Sequence, residues 1–213
     1  MSEIALIDYG SGNLHSAARA LRVAATASGA TARIRITSDP DHVYTADRIV
    51  LPGVGHFADC AAGLRRLDGM VAALYEAVMQ RGKPFFGICV GQQLLASQGL
   101  EDGVTDGLNW VPGTVDRIEP GPGYRVPHVG WNALELCQDH AVTHGLGEDP
   151  HVYFTHSYAF KEISDRDIAA RVAYGQPIIA AIARDNIFAT QFHPEKSQKI
   201  GLQILSNFIK WRP

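Results

Sequence analysis

Between Lys83 and Leu95 the chain reads KPFFGICVGQQLL, and no other run restricts the fold as much. Pro84, Phe85, Phe86 and Ile88 form an apolar segment of strand length, which stops at Gly87-Ile88-Cys89-Val90-Gly91 before Leu94 and Leu95 begin a helical spacing. A strand that turns at once into a helix is the unit of an α/β fold, and here the turn carries a cysteine. Backbone N–H groups at a helix N-terminus favour the thiolate, the reactive form of that side chain. Gly87 and Gly91, two residues to either side, allow a sharp bend and close approach of a neighbouring chain. The pattern is the cysteine version of the G-x-S-x-G nucleophile elbow, against which stands the plainer reading of a small buried cysteine.

The flanking segments extend the same architecture. Ile4 to Ile7 is an apolar run ending in Asp8-Tyr9-Gly10-Ser11-Gly12-Asn13, and Leu14, Ala17, Ala18, Leu21 and Ala25 follow at helical spacing. Gly10-Ser11-Gly12 lacks the third glycine and the later acidic residue of a dinucleotide fingerprint, so no nucleotide site is expected there. Thr31–Thr37 predicts a second strand, Asp39-Pro40 a turn, and Arg48–Leu51 a third strand running into Pro52-Gly53-Val54-Gly55. Met70, Leu74, Ala77 and Val78 predict a helix over 70–81, closed by Gly82. Four strands with intervening helices imply right-handed crossovers and a doubly wound, mostly parallel sheet with helices on both faces. Cys89 and the Pro52–Gly55 loop then share the rim at the carboxyl ends of the strands, where open α/β sheets bind ligands.

After about residue 100 glycine and proline break the chain into short pieces, with Pro120-Gly121-Pro122-Gly123 reading as a turn. Strand-like runs at 151–154, 169–174, 178–183 and 187–191, the last two joined by Arg184-Asp185-Asn186, predict an added antiparallel portion. Trp131, between Gly130 and Asn132, is expected in the core, with exposure toward a partner as the alternative. Ser197 is placed to cap a final helix whose apolar residues run from Ile200 to Ile209.

At 213 residues and 46% apolar content the chain suits a single domain spanning 1–213, and a formal charge of −3 offers no basic field for nucleic acid. Cys60, Cys89 and Cys137 stand far apart, so neither a disulfide framework nor a metal site is expected. The N-terminus lacks a signal-peptide pattern and no apolar stretch reaches about 18 residues, which excludes a membrane span and points to the cytoplasm.

A cysteine nucleophile needs a histidine base, and the base needs a group that fixes its tautomer. Gln191-Phe192-His193-Pro194-Glu195-Lys196-Ser197 supplies both after a strand end, with His193 and Glu195 two residues apart and hence on one side of an extended segment. Against a solvated surface turn, their shared strand-end placement with Cys89 predicts a Cys89–His193–Glu195 triad. His15, His42, His56, His140, His144 and His151 lack such company and read as surface or satisfied polar residues.

Gly87–Gln93 with His193-Pro194-Glu195 resembles the class I (triad) glutamine amidotransferases. Ile7–Leu14, Leu51–Gly55, Pro127–Asn132, Tyr153–Tyr158 and Gln191–Ser197 are similar, within that family, to the glutaminase subunits of imidazole glycerol phosphate synthases, along nearly the whole chain. The resemblance implies no cofactor and an L-glutamine substrate, attacked by Cys89 and hydrolysed through a glutamyl thioester to glutamate and ammonia. It implies oxyanion donors at Val90 and, from a mobile loop, at Val54 and Gly55. Glutamine contacts are implied at Gly53, Gln93, His156, Ser157 and Tyr158. It further implies a (β/α)8 synthase subunit as heterodimer partner, which receives the ammonia and makes imidazole glycerol phosphate and AICAR, with Asn13, Trp131, Tyr158 and Lys196 at or near the interface. Two positions depart from the family: Gln92, where Met is usual, and His56, where a small residue is usual. The competing readings are a glutaminase serving another acceptor, a cysteine peptidase or thioesterase on the same scaffold, and a binding subunit without chemistry.

Overall fold

The computed structural model describes residues 2–213. Its first part alternates strand and helix: β1 (Ser2–Ile7), α1 (Leu14–Ala27), β2 (Ala32–Thr37), α2 (Pro40–Thr45), β3 (Arg48–Gly53), α3 (Phe57–Arg66), α4 (Met70–Tyr75), β4 (Phe85–Cys89) and the one-turn α5 (Val90–Gln93). Strands then dominate: β5 (Gln98–Gly99), β6 (Thr105–Asp106), β7 (Thr114–Arg117), β8 (His128–Ala133), β9 (Glu135–Leu136), β10 (His151–His156), β11 (Tyr158–Lys161), β12 (Ile168–Tyr174), β13 (Gln176–Arg184) and β14 (Ile187–Thr190). The helix α6 (Gln198–Lys210) closes the chain.

Eight strands form the central sheet in the order β2-β1-β3-β4-β14-β13-β12-β9. From β2 to β14 every pairing is parallel, and from β14 to β9 every pairing is antiparallel. The chain leaves β1 toward one edge and later leaves β3 toward the other. Right-handed crossovers in opposite directions set α1 on one face and α3 and α4 on the other. α6 packs against α1, with the Ser206 hydroxyl donating to Ala24 O at 3.1 Å, and α2 packs against α4. Strands covered on both faces must be apolar throughout, and Ile4, Leu6, Ile7, Ile49, Val50, Leu51, Phe85 and Phe86 are completely buried. Two smaller sheets, β10-β8 and β11-β7-β5-β6, carry the later loops.

Five local expectations are corrected. Asp39-Pro40 starts a helix, not a turn alone: Pro40 occupies its first position and the Asp39 carboxylate accepts from Asp41 N at 2.9 Å. The sequence reading assigns no element to α3, although Phe57, Cys60, Ala61 and Leu64 lie at helical spacing and are buried. The expected helix over 70–81 is α only to Tyr75 and continues as a π turn from Glu76 to Gln80, which keeps Ala77 and Val78 buried. Leu94 and Leu95 are completely buried but fall beyond the end of α5. Trp131 is 47% exposed, because β8 has only β10 as neighbour and no layer covers that face. Among the described residues no helix is long and apolar enough to cross a membrane, and no group of three potential ligands is arranged for a metal.

Candidate active site

Three parallel strands bring their carboxyl ends to one rim. In the β3–β4 register Gly53 lies opposite Cys89, and in the β14–β4 register Thr190 lies opposite Ile88, so the segment Gln191–His193 emerges beside the cysteine. Cys89 itself adopts φ 55° and ψ −112°, a strained conformation for a non-glycine residue that lifts its side chain out of the strand direction. Gly91 permits this bend, since a Cβ there would stand 1.9 Å from Leu51 O. Cys89 is 5% exposed.

His193 is held by its main chain, its N–H donating to Tyr153 O at 3.0 Å while its own carbonyl accepts from the Ser197 hydroxyl at 2.6 Å. Ser197 therefore does not cap α6 through its side chain; that hydroxyl ties His193 to β10, accepting from Tyr153 N at 3.0 Å as well. On the imidazole, Nδ1 lies 2.8 Å from Glu195 Oε1 with both side chains buried. A carboxylate only accepts at neutral pH, so Nδ1 carries a proton and Nε2 is the atom left for chemistry. Among the described residues Nε2 has no hydrogen-bond partner, and Cys89 is the neighbouring group with most influence on it. Burial pushes the His193 pKa down, but the Cys89 sulfur and the Glu195 carboxylate outweigh it and raise the pKa to about 9. A base of that strength suits proton transfer at Nε2.

These groups face a cavity of about 390 Å³. Its wall includes Val54, Gly55, Cys89, Val90, Gln93, His156, Ser157, Tyr158, His193 and Lys196, which brings together most residues singled out in the sequence. Gly53 is not on that wall; it is packed in β3, where a Cβ would meet Tyr9 Oη at 2.7 Å and Gly91 N at 2.8 Å. Val54 borders the cavity, yet its N–H donates to Ser11 Oγ at 3.1 Å while the Ser11 hydroxyl donates to Val54 O at 2.7 Å. That amide is thus engaged away from Cys89. Val90 N–H opens α5, where no residue of the helix can accept it.

Asn13 and Trp131 lie outside the cavity. Asn13 caps α1, accepting from Ser16 N at 3.4 Å. Trp131 meets Tyr153 edge-on at 6.0 Å, and Lys196 Nζ stands 5.6 Å over the same Tyr153 ring, so the three form one surface cluster beside the cavity mouth. Gln92 is fully buried, donating to Ala189 O at 3.3 Å. His56 precedes α3 and places Nε2 3.2 Å from Asp102 Oδ2 at the surface.

Sequence reasoning missed three residues here. Glu101 lines the cavity while its Oε2 accepts from Phe57 N at 2.8 Å. Ser11 holds the Val54 backbone. Gln191 is completely buried and donates through Nε2 to Cys89 Sγ at 3.6 Å. Gln191 had a signal in strand alternation, lying two residues before His193; Glu101 and Ser11 sit in loops and had none. A larger cavity of about 680 Å³ lies at the opposite rim, bounded by Asp47, Arg48, Lys210 and Arg212, with no cysteine or histidine among the described residues that line it.

Comparison with known proteins places this geometry in context. A family model described as glutamine amidotransferase class-I matches residues 5–211. The chain is 52% identical over 214 residues to the imidazole glycerol phosphate synthase subunit HisH of Caulobacter vibrioides, covering 100% of both. It is also 52% identical over 212 residues to that of Rhodospirillum rubrum, covering 99% of both. Among solved structures, the glutaminase domain of Trypanosoma brucei CTPS with bound acivicin has the same fold, with a TM-score of 0.67 at 16% identity, over 100% of this chain and 96% of that one.

Proposed function

This chain belongs to the class-I glutamine amidotransferases, and within them to the HisH subunits of imidazole glycerol phosphate synthase, and from that premise we propose how its residues divide the work. It is a single-domain glutaminase that hydrolyses L-glutamine through Cys89, His193 and Glu195. The observation that carries this reading is one cavity holding a strained strand-end cysteine and an imidazole whose free Nε2 is oriented by a buried carboxylate 2.8 Å from Nδ1.

His193 Nε2 takes the Cys89 thiol proton, the resulting thiolate attacks the side-chain amide carbon of glutamine, and the carbonyl electrons move to oxygen. Val90 N–H donates to that oxyanion, and Val54 N–H joins it once released from Ser11. His193 delivers its Nε2 proton to the amide nitrogen, the C–N bond breaks and ammonia leaves. The neutral imidazole next takes a proton from water, whose oxygen attacks the thioester, and glutamate departs as the thiolate re-forms. Glu195 keeps the ring in register throughout. Gln93 and the His156-Ser157-Tyr158 strip hold the amino-acid end, and Glu101 gives the cavity a carboxylate suited to an α-ammonium group.

The ammonia passes to a (β/α)8 synthase subunit, which completes imidazole glycerol phosphate and AICAR in histidine biosynthesis. We assign Asn13, Trp131, Tyr158 and Lys196 to that partner's interface, because Trp131 and Lys196 form an exposed aromatic and cationic cluster at the cavity mouth. Three unpaired cysteines suit a reducing, cytoplasmic setting. The test is glutamate release by the chain with the synthase subunit and its ribotide ligand, in wild type and Cys89→Ala. Glutamate from wild type and a loss of about 10³-fold or more in Cys89→Ala are expected. A silent wild type, or an active alanine variant, overturns the assignment.

A further inference from the structure

Two runs of hydrogen bonds, one from the buried pair His128 and His156 and one joining Gln93, Gln191 and the nucleophilic sulfur, meet at one backbone carbonyl. Tyr158 O can only accept. It is approached by His156 Nδ1 at 2.9 Å and by Gln93 Nε2 at 3.0 Å, so both must be donors. His156, carrying its proton on Nδ1, then accepts at Nε2 from His128 Nδ1, 3.0 Å away. Burial lowers both rings to about 4, so at neutral pH each carries one proton, as this arrangement requires.

The other end is fixed by the same logic. The Gln93 amide nitrogen donates its second hydrogen to the Gln191 side chain at 3.0 Å, and only an oxygen can accept there. Gln191 must therefore turn its NH₂ group to Cys89 Sγ, at 3.6 Å. Gln191 is completely buried, so no water competes for that donor. We propose that Gln191 is a catalytic residue that donates a hydrogen bond to the Cys89 sulfur, held in the donating orientation by Gln93, which Tyr158 O orients in turn. The inference rests on Cys89 being the glutaminase nucleophile.

The reaction gives such a donor two uses. A thiolate that is 5% exposed has lost most of its water, and His193 alone supplies one charged partner. When the second tetrahedral intermediate collapses, the C–S bond breaks and its electron pair returns to sulfur, which accepts most strongly at that moment. Gln191 N–H meets the growing charge without reorganising. Gln93, with both N–H groups engaged, offers only Oε1 to the cavity and so selects a donor on the substrate.

The test uses Gln191→Met, which keeps the volume but removes the donor, and Gln191→Glu, which keeps an oxygen toward Gln93 but replaces the NH₂ by oxygen. Alkylation of Cys89 by iodoacetamide, followed from pH 4 to 9 on the whole chain, reads the sulfur without glutamine or partner. A shift of the profile to higher pH, with about tenfold slower alkylation on its rising limb, is expected for both variants. In the complex with the synthase subunit, kcat should fall by a comparable factor with KM little changed. Folded variants with the wild-type alkylation profile overturn the proposal, as does a loss of kcat with unchanged alkylation, which would make Gln191 a packing residue. If Gln191→Met does not fold, Gln191→Glu decides. A wild type that is alkylated as expected but releases no glutamate refutes the glutaminase reading and leaves the sulfur contact standing.

Discussion

Gln92 and Glu195 show how little a residue's type says until its surroundings are known. Gln92 donates to Ala189 O, but its Oε1 is buried with no partner among the described residues. A side chain of the same length without polar atoms removes that desolvated acceptor, so Gln92→Met is expected to stabilise the chain by about 1–2 kcal/mol, read as a higher urea midpoint at unchanged slope. Unchanged or lower stability would mean that the amide satisfies the turn in another way. Glu195 acts through the ring it touches. Glu195→Gln removes one of the two groups that raise His193, so the ring's pKa should move down from about 9, seen as an earlier loss of imidazolium signal in an NMR titration. At this scale the sequence was most legible where chemistry demands a rare combination. Cys89 between two glycines and His193-Pro194-Glu195 after a strand end stand out on residue type and position. Gln191 and Ser11 do not, because an amide or a hydroxyl at a strand end has many possible roles, and only the acceptor or donor opposite decides among them.

Among the elements, the turn after β3 holds the most consequence for activity. Tyr9 Oη donates to Pro52 O at 2.7 Å and Ser11 both donates to and accepts from Val54, so the Asp8–Asn13 loop grips both ends of that segment. Ser11→Ala removes the acceptor that engages Val54 N–H and leaves that amide free to turn toward the cavity. Glutamate release by the chain without its partner should rise severalfold, by up to the roughly 10²–10³-fold attributed to one oxyanion donor. No change in the unassisted rate would show that Ser11 does not restrain this segment. On the opposite side of the elbow, Gly91→Ala sets a Cβ 1.9 Å from Leu51 O and should prevent α5 from packing on β3, seen as loss of soluble folded chain. The long parallel strands and α1 and α6 were legible because each repeats its pattern over several turns or residues. The π turn at Glu76–Gln80 was not, since one extra residue per turn leaves the apolar spacing almost unchanged. The short strands β5, β6 and β9, of two residues each, carry no period at all; only partners distant in sequence define them.

For the molecule as a whole, the buried imidazoles couple folding to pH in two opposite directions. His128 and His156 have folded-state pKa values of about 4, below the 6.5 of an unfolded histidine. Between those values the unfolded chain binds protons that the folded chain refuses, so their contribution is present above pH 6.5 and is lost as pH falls toward 4. For His156 alone, 6% exposed, the loss is about 3 kcal/mol. His193 works the other way. Its folded-state value of about 9 lies above 6.5, so its contribution is complete below pH 6.5 and is lost as pH rises through 9. Stability should therefore be greatest near neutrality, with an acid flank set by His128 and His156 and an alkaline flank set by His193. Urea midpoints at pH 7.0 and 4.5 test the first. The wild type should lose stability across this interval, and His156→Asn, which can still donate to Tyr158 O but does not titrate, should lose about 2 kcal/mol less. The same comparison at pH 7.0 and 9.5 with Cys89→Ala, where the sulfur no longer raises His193, should flatten the alkaline flank. A wild type whose stability is level from pH 4.5 to 7 would mean that the two rings take up protons in the folded chain as readily as in the unfolded one, and that the contact from His128 Nδ1 to His156 Nε2 is given up in acid.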